Sequence, residues 1–474
     1  MRIVLFIGVI TIATLLIFAA GCATYRTGPE SRPELRWTTE GRNHLGIIEL
    51  DDQGWLRKPE DAKYVLDQIE QIAAGGPTNI VVFVHGWHHN ASADPEDCNL
   101  RSFKRVLARV DEEMQIPLYQ EARKAVFGNP EAHIVGLYIG WRGRSLPGFL
   151  DYLTFWDRKP AASRVGHGDL PEVFTRLASI YAKGNDPSRA KHSYTGLVTI
   201  GHSFGGQVVF AAVSDILKSR VAEAIPLSAT IQSPVPQING FGDLVVLVNP
   251  ACEASVYNSI DVLTRHAQFG AMQTPVMMIV SSEADWPNHR LFPFGRFLSV
   301  LHEPFGNGPQ FSQKLNAMGW YKAQLTHCLA LDGGPGCDGA APKVVKFDMT
   351  KEPTADAHRP GSSTCPEADA ITLDVGQAKR FAGVWTEEFL LHPERIQLAS
   401  DFAAAGARFY RTEPALDPNN PFVVVKATRE VSGDHNDMFN PTLVSFLVRY
   451  AAGTQLKRLA PRILAGMAHQ VPPN

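Results

Sequence analysis

Gly201-His202-Ser203-Phe204-Gly205-Gly206 is the stretch of this chain best equipped to do chemistry. It follows the apolar, β-branched run Leu197-Val198-Thr199-Ile200 and precedes a segment of helical character, Gln207 to Lys218. A strand that turns sharply into a helix lifts the side chain at the turn to the tip of the strand. Such a turn leaves no room for a Cβ two residues to either side, which accounts for Gly201 and Gly205, and it holds the serine in a strained backbone region. The residue so presented, Ser203, is an alcohol and a poor nucleophile at neutral pH. It needs an adjacent base, and the base needs a third group to orient it.

Candidates for both follow along the chain. Asp285 lies just beyond a strand-like run, Pro275 to Val280, and His435 lies in the loop Ser432-Gly433-Asp434-His435-Asn436-Asp437 after a second such run, Phe422 to Ala427. With 16 histidines present, position singles out His435: it follows a strand, in a Gly/Asp-rich loop, just before a helix. Glu283, in the same loop as Asp285, is the second candidate acid, and Asp243 precedes the preceding strand. Asp434 and Asp437 read as turn formers.

Strand, Gly-His-Ser-Phe-Gly-Gly, helix; an earlier strand followed by His85-Gly86-Trp87; and the late Gly433-Asp434-His435-Asn436-Asp437 together resemble an α/β-hydrolase of the lipase/esterase kind. The chain order serine, aspartate, histidine is that of these enzymes. The resemblance covers roughly Leu45 to Ala451, and the part from about Pro287 to Pro366 matches no family. It implies a three-layer α/β-hydrolase fold, a mostly parallel sheet flanked by helices, with an irregular lid or cap inserted at 287–366. It also implies roles: Ser203 attacks a carbonyl, His435 takes and returns the proton, and Asp285 orients His435. The backbone N–H groups of Phe204 and Trp87 would form the oxyanion hole. Gly86 would give the backbone room to approach. His202, Trp141 and Trp286, near C-terminal strand ends where open α/β sheets bind ligands, would line the substrate. Arg142 reads as a solvated arginine. The implied substrate is a small ester or lipid, with no cofactor and no metal. Thioester cleavage and acyl transfer use the same machinery, and a non-catalytic, membrane-anchored binding lipoprotein is the alternative of a different class.

The elements that must position these residues are legible as alternating patterns. Leu45 to Leu50, Ile80 to Val84, Ile134 to Ile139 and Leu244 to Val248 read as further strands, the continuous apolar ones buried on both faces. Pro59 to Ala73, Leu100 to Met114, Glu172 to Lys183, Ser259 to Ala267, Val375 to Leu391 and Pro441 to Ala451 read as helices. Strand–helix alternation is the order of a parallel sheet with crossover helices. From 287 to 366 the chain is rich in Pro, Gly, Phe and Cys with little periodicity, and 456–474 reads as a C-terminal tail.

The N-terminus stands apart. Arg2, an apolar run from Ile3 to Ala20, and Gly21-Cys22 resemble a bacterial lipoprotein signal, with 1–21 removed and Cys22 lipidated. Ala19 stands where that family usually has leucine. An uncleaved anchor is the alternative, since the run is close to spanning length. Either way the expectation is an exported, membrane-anchored protein, joined by an extended polar tether over 22–44 to a domain spanning 45–455. Of the remaining cysteines, Cys328 and Cys337 flank the turn-rich Asp332-Gly333-Gly334-Pro335-Gly336 and are the expected disulfide pair, and the odd count leaves at least one other thiol outside intrachain pairs. A zinc site at His327, Cys328 and Cys337 lacks paired C-x-x-C spacing. His85, His88 and His89 are too crowded in one loop to share a metal easily. The 474 residues, 45% hydrophobic and 20% charged, suffice for a large buried core. A net charge of −3 without a long basic run argues against nucleic acid as partner.

Overall fold

The computed structural model describes residues 36–91, 97–144, 154–188, 194–225, 237–337 and 392–468, apart from 117–118, 121–122, 125–126, 130 and 187. The segments expected as signal, Cys22 and the helix at Val375–Leu391 lie outside the described residues.

The described strands form one eleven-stranded sheet. They are β1 Trp37–Glu40, β2 Asn43–Glu49, β3 Thr78–Val84, β4 His133–Gly140, β5 Thr195–His202, β6 Leu244–Val248, β7 Met277–Ser282, β8 His327–Leu331, β9 Asp401–Ala404, β10 Ala407–Arg411 and β11 Phe422–Ala427. Their spatial order is β1-β2-β4-β3-β5-β6-β7-β11-β8-β10-β9. Every pairing from β2 across to β8 is parallel, and the two edges are closed by antiparallel hairpins. The chain is thus α/β, with a mixed but largely parallel sheet flanked by helices.

The helices are α1 Pro59–Gly75, α2 Cys98–Met114, α3 Phe155–His167, α4 Leu170–Asn185, α5 Phe204–Ala224, α6 Asn258–Thr264, α7 Phe292–Ser299, α8 Gly308–Leu315 and α9 Pro441–Ala468. Successive strand side chains point to opposite faces, so the sheet divides its apolar residues between two cores. Ile80, Val82 and Val84 of β3 join one core with α1, α3, α4 and α5; Val81 and Phe83 join the other with α2 and α9. Two-faced burial is why the central strands read as unbroken apolar runs.

Three expectations need correction. The stretch expected as tether ends in structure: Trp37–Glu40 is a strand, turned back into β2 at Gly41, whose φ is +62°. The region from Pro287 is not simply irregular, since up to Cys337 it holds a π-helical turn at Pro287–Leu291, α7, α8 and the buried strand β8. The C-terminal tail is helical as far as Ala468, because α9 continues past Ala451 with its polar residues occupied. Gln455 Nε2 donates to Asp243 at 3.1 Å and Lys457 Nζ to the Ile396 carbonyl at 2.5 Å. Three elements went unread: α3, which carries Pro160 internally, and the short strands β9 and β10.

At the first edge, Arg36 donates to Glu49 of β2 at 2.9 Å and to Asp61 of α1 at 3.1 Å, with all three side chains at most 5% exposed. Removing the shared cation leaves two buried carboxylates facing each other. Arg36→Met is therefore expected to lower stability by about 3–5 kcal/mol in urea unfolding; a loss under about 1 kcal/mol would mean that the cluster contributes nothing net.

Candidate active site

Ser203 sits between β5 and α5 with φ 55° and ψ −122°, a region that costs a non-glycine residue about 1–3 kcal/mol. Its backbone is held on both sides. The Ser203 N–H donates to the Val248 carbonyl at 3.0 Å, and the Ser203 carbonyl accepts from Gly206 and Ala251, each at 3.0 Å. The neighbouring glycines are required sterically. A Cβ on Gly201 would lie 2.6 Å from the Gly205 carbonyl oxygen, and one on Gly205 would strike the Val84 carbonyl.

The three residues singled out for chemistry come together. The Ser203 hydroxyl donates to His435 Nε2 at 2.8 Å, and His435 Nδ1–H donates to Asp285 Oδ1 at 2.8 Å. Asp285 is fully buried and also accepts from Asn288, from its backbone N–H at 2.9 Å on Oδ1 and its side-chain amide at 2.8 Å on Oδ2. Burial opposes charge on the His435 ring, but the charge and hydrogen bond of Asp285 outweigh it, and the imidazole is raised above 6.5. The other acids lie elsewhere. Glu283 accepts from the Arg429 N–H, Asp434 and Asp437 cap turns of their own loop, and Asp243 is bound to Tyr181, Leu197, Gln455 and Arg458.

Two residues fix the histidine loop. His202 Nε2–H donates to the His435 carbonyl at 2.8 Å, and the Asn249 side-chain amide donates to the same oxygen at 2.9 Å. Asn249, at φ 47°, also accepts from the Ser282 N–H on Oδ1 at 2.8 Å, and its carbonyl accepts from Asn288. One network thus joins the ends of β5, β6 and β7 to the His435 loop. His202, expected at the substrate, is 2% exposed, and burial, then the charge of His435, pushes its ring well below the usual histidine range. Asn249 and Asn288 went unread; the one signal for Asn249 was its position at a strand end, and Asn288, inside the π-helical turn, had none.

Phe204 begins α5, so its N–H has no intrahelical partner and lies at the positive end of a long helix. Gly86 packs directly on Ser203: a Cβ there would lie 2.8 Å from Ser203 Cβ. The loop that carries Gly86 and Trp87 is therefore against the serine. His85 is fully buried, its Nδ1–H donating to the Gly86 carbonyl at 2.9 Å and its Nε2 accepting the Trp141 N–H at 3.0 Å; burial lowers it to about 4. Trp141, expected at the substrate, is 1% exposed and braces this loop with its indole N–H on the His85 carbonyl at 2.8 Å. Arg142 is not merely solvated but paired with Asp52. Trp286 is half-buried between Asp285 and the π-helical turn.

Trp87 and Phe204 form an aromatic wall with two residues that the sequence did not mark. Phe155 of α3 lies 5.9 Å from Trp87, 5.6 Å from Phe204 and 6.4 Å from Phe292 of α7 by ring centroids. Buried Glu253, in the loop after β6, links the two helices of the wall, accepting from Lys159 of α3 and ion-paired with Arg296 of α7, each at 2.9 Å. Among the described residues no group of three metal-ligating side chains converges. Cys328 and Cys337 form a disulfide and His327 is bonded to Thr326 and the Ala399 carbonyl, which rules out the zinc arrangement considered there. Cys252 is a free, buried thiol.

Comparison with protein-family models, with curated proteins and with solved structures gives no match.

Asp285 raises the His435 ring, so Asp285→Asn is expected to drop it below its ordinary value, leaving burial to dominate. Following the His435 ring proton by NMR across pH 4 to 9 reads this directly; an unchanged midpoint would mean that Asp285 does not govern the charge of His435.

Proposed function

We propose that this protein is a serine hydrolase of the α/β-hydrolase kind that cleaves carboxylic esters through an acyl-enzyme. The observation that carries the reading is the continuous chain Ser203–His435–Asp285, two 2.8 Å hydrogen bonds ending on a buried carboxylate. In this reading His435 takes the Ser203 proton as Oγ attacks the ester carbonyl. The tetrahedral oxyanion is met by the N–H groups of Phe204 and Trp87, and collapse expels the alcohol, which takes the proton back from His435. Water activated by the same histidine then releases the acid. Asp285 accepts from Nδ1 and holds the imidazole in the tautomer that can accept at Nε2.

The wall of Trp87, Phe155, Phe204 and Phe292 favours an ester with an apolar acyl or aryl group. Beside it, Phe294, Phe297, Leu298 and Leu301 on and just after α7 are 44–64% exposed, which favours a lipid-like substrate over a small polar one. The low exposure of Ser203, 4%, favours a second reading, acyl transfer, in which an alcohol replaces water. Export and anchoring through Cys22 belong to the same proposal; the Cys328–Cys337 disulfide accords with an oxidising compartment.

Hydrolysis of p-nitrophenyl esters of graded chain length tests the reading. Ser203→Ala is expected to cut kcat by roughly a thousandfold or more and to abolish fluorophosphonate labelling. Equal rates in both proteins would remove Ser203 from the mechanism. The neutral form of His435 is the base, so kcat/KM is expected to rise with pH through a midpoint above 6.5, and a midpoint at or below it would count against His435 as base. Gly86→Ala should fold and yet lose turnover, because its Cβ would displace either Ser203 or the oxyanion loop; full activity with an unshifted melting temperature would contradict that packing.

A further inference from the structure

Ten large apolar residues stand exposed among the described residues, and five of them fall within eleven positions of chain. These are Leu291, Phe294, Phe297, Leu298 and Leu301, on and beside α7, each 41–64% exposed. Phe294, Phe297 and Leu298 have the i, i+3, i+4 spacing of one helical side, and Leu301 follows just beyond the helix. The other side packs inward. Phe292 is buried, and Gly295 lies so close to Phe155 that a Cβ there would be 2.8 Å from its ring. Trp156, 49% exposed and edge-on to Phe155 at 5.7 Å between ring centroids, widens the patch. Single apolar residues on a surface need no partner, whereas a concentration of this kind does.

The charge of the same stretch and the entry point of the chain identify that partner. Between 287 and 322 stand Arg290, Arg296, Lys314 and Lys322 against one carboxylate, Glu303, although the whole chain carries −3. Arg296 answers Glu253, which leaves three cations to one acid. Apolar side chains bordered by cations suit an anionic phospholipid surface, the former entering the acyl region and the latter meeting phosphates. At the other end of the domain's chain, Arg36 is ion-paired at 2.9 Å with Glu49, the last residue of β2. The parallel register runs from β2 through β4 and β3 to β5. Arg36 therefore lies at the strand edge that carries Ser203, three strand spacings away, roughly 14 Å. The segment bearing α7 leaves β7 at that same edge. Thirteen residues separate Cys22 from Arg36, a span of at most roughly 45 Å. An anchor at Cys22 thus fastens the domain to its bilayer by this edge.

We propose that α7 and Trp156 dock on the anionic bilayer surface that holds the N-terminal anchor, with Phe294, Phe297, Leu298 and Leu301 below the headgroups. This orientation turns the strand edge bearing Ser203 toward the lipid. The location of the bilayer rests on the anchoring proposed above; the docking does not rest on Ser203 being a nucleophile.

The full chain, reconstituted in vesicles of phosphatidylethanolamine and phosphatidylglycerol, tests this with a nitroxide placed singly at Leu298→Cys, Leu301→Cys or Ala222→Cys. Ala222 is exposed near the far end of α5, roughly 27 Å along the helix from Phe204. The parent chain supplies the background from its own thiols. At 298 and 301, collisions with oxygen are expected to outnumber those with a water-soluble nickel complex several-fold, and at 222 the order should reverse. Flotation of the vesicles in high salt reads the anchor separately. Protein that floats with its nitroxides in water at 298 and 301 would overturn the docking and leave the anchor standing. Protein that stays off the vesicles, those positions open to water or shielded by a second copy of the chain, would overturn it too. Nitroxides in lipid on protein that high salt strips from the vesicles would support the docking and remove the anchor.

Discussion

The positive φ of Ser203 is the constraint on which the site depends. A strained residue persists only when its surroundings over-determine it, and here the three backbone bonds to Val248, Gly206 and Ala251 do so. Val248 ends β6, which pairs in parallel with β5. The turn is thus clamped by the neighbouring strand, and the sheet's parallel register is what aims the hydroxyl. The same register brings Asn249, one residue on, under the His435 loop. Ser203 and the His435 loop are held by adjacent residues, Val248 and Asn249, at a single strand end.

Much of this was legible beforehand, for a physical reason. Central strands of a parallel sheet are buried on both faces, so Ile80–Val84 and Leu244–Val248 announce themselves as apolar runs without any tertiary knowledge. The glycines around Ser203 are equally local, because each answers a clash within its own turn or with the strand beside it. Asp285 and His435 could be found because the fold brings strand ends together, and both follow strands closely.

What was not legible depends on partners distant in sequence. β8 is short and sits among glycine, proline and cysteine, and it becomes a strand because β11 and β10 flank it. Trp141 and His202 look like rim residues by position, yet Trp141 gives its indole N–H to the His85 carbonyl and His202 its Nε2–H to the His435 carbonyl. Position along a strand places a residue near a site but does not say which way its hydrogen bonds go. Phe155 and Phe292 belong to helices whose contact with Trp87 and Phe204 no local pattern encodes. Likewise the local pattern of α9 stops where its apolar face thins, but Gln455 and Lys457 find acceptors on Asp243 and Ile396 and carry the helix onward.

The position of β11 has a temporal consequence. It is the last of the described strands, yet it lies between β7 and β8 in the interior of the sheet. During synthesis the segment bearing Ser203 emerges more than two hundred residues before the one bearing His435. Until the segment after β11 is in place, Ser203 and Asp285 lack the hydrogen bonds they make to His435. Under the proposed function, a nascent or truncated chain would therefore carry an inert alcohol until the sheet is complete, and the order of the chain would itself guard against premature chemistry.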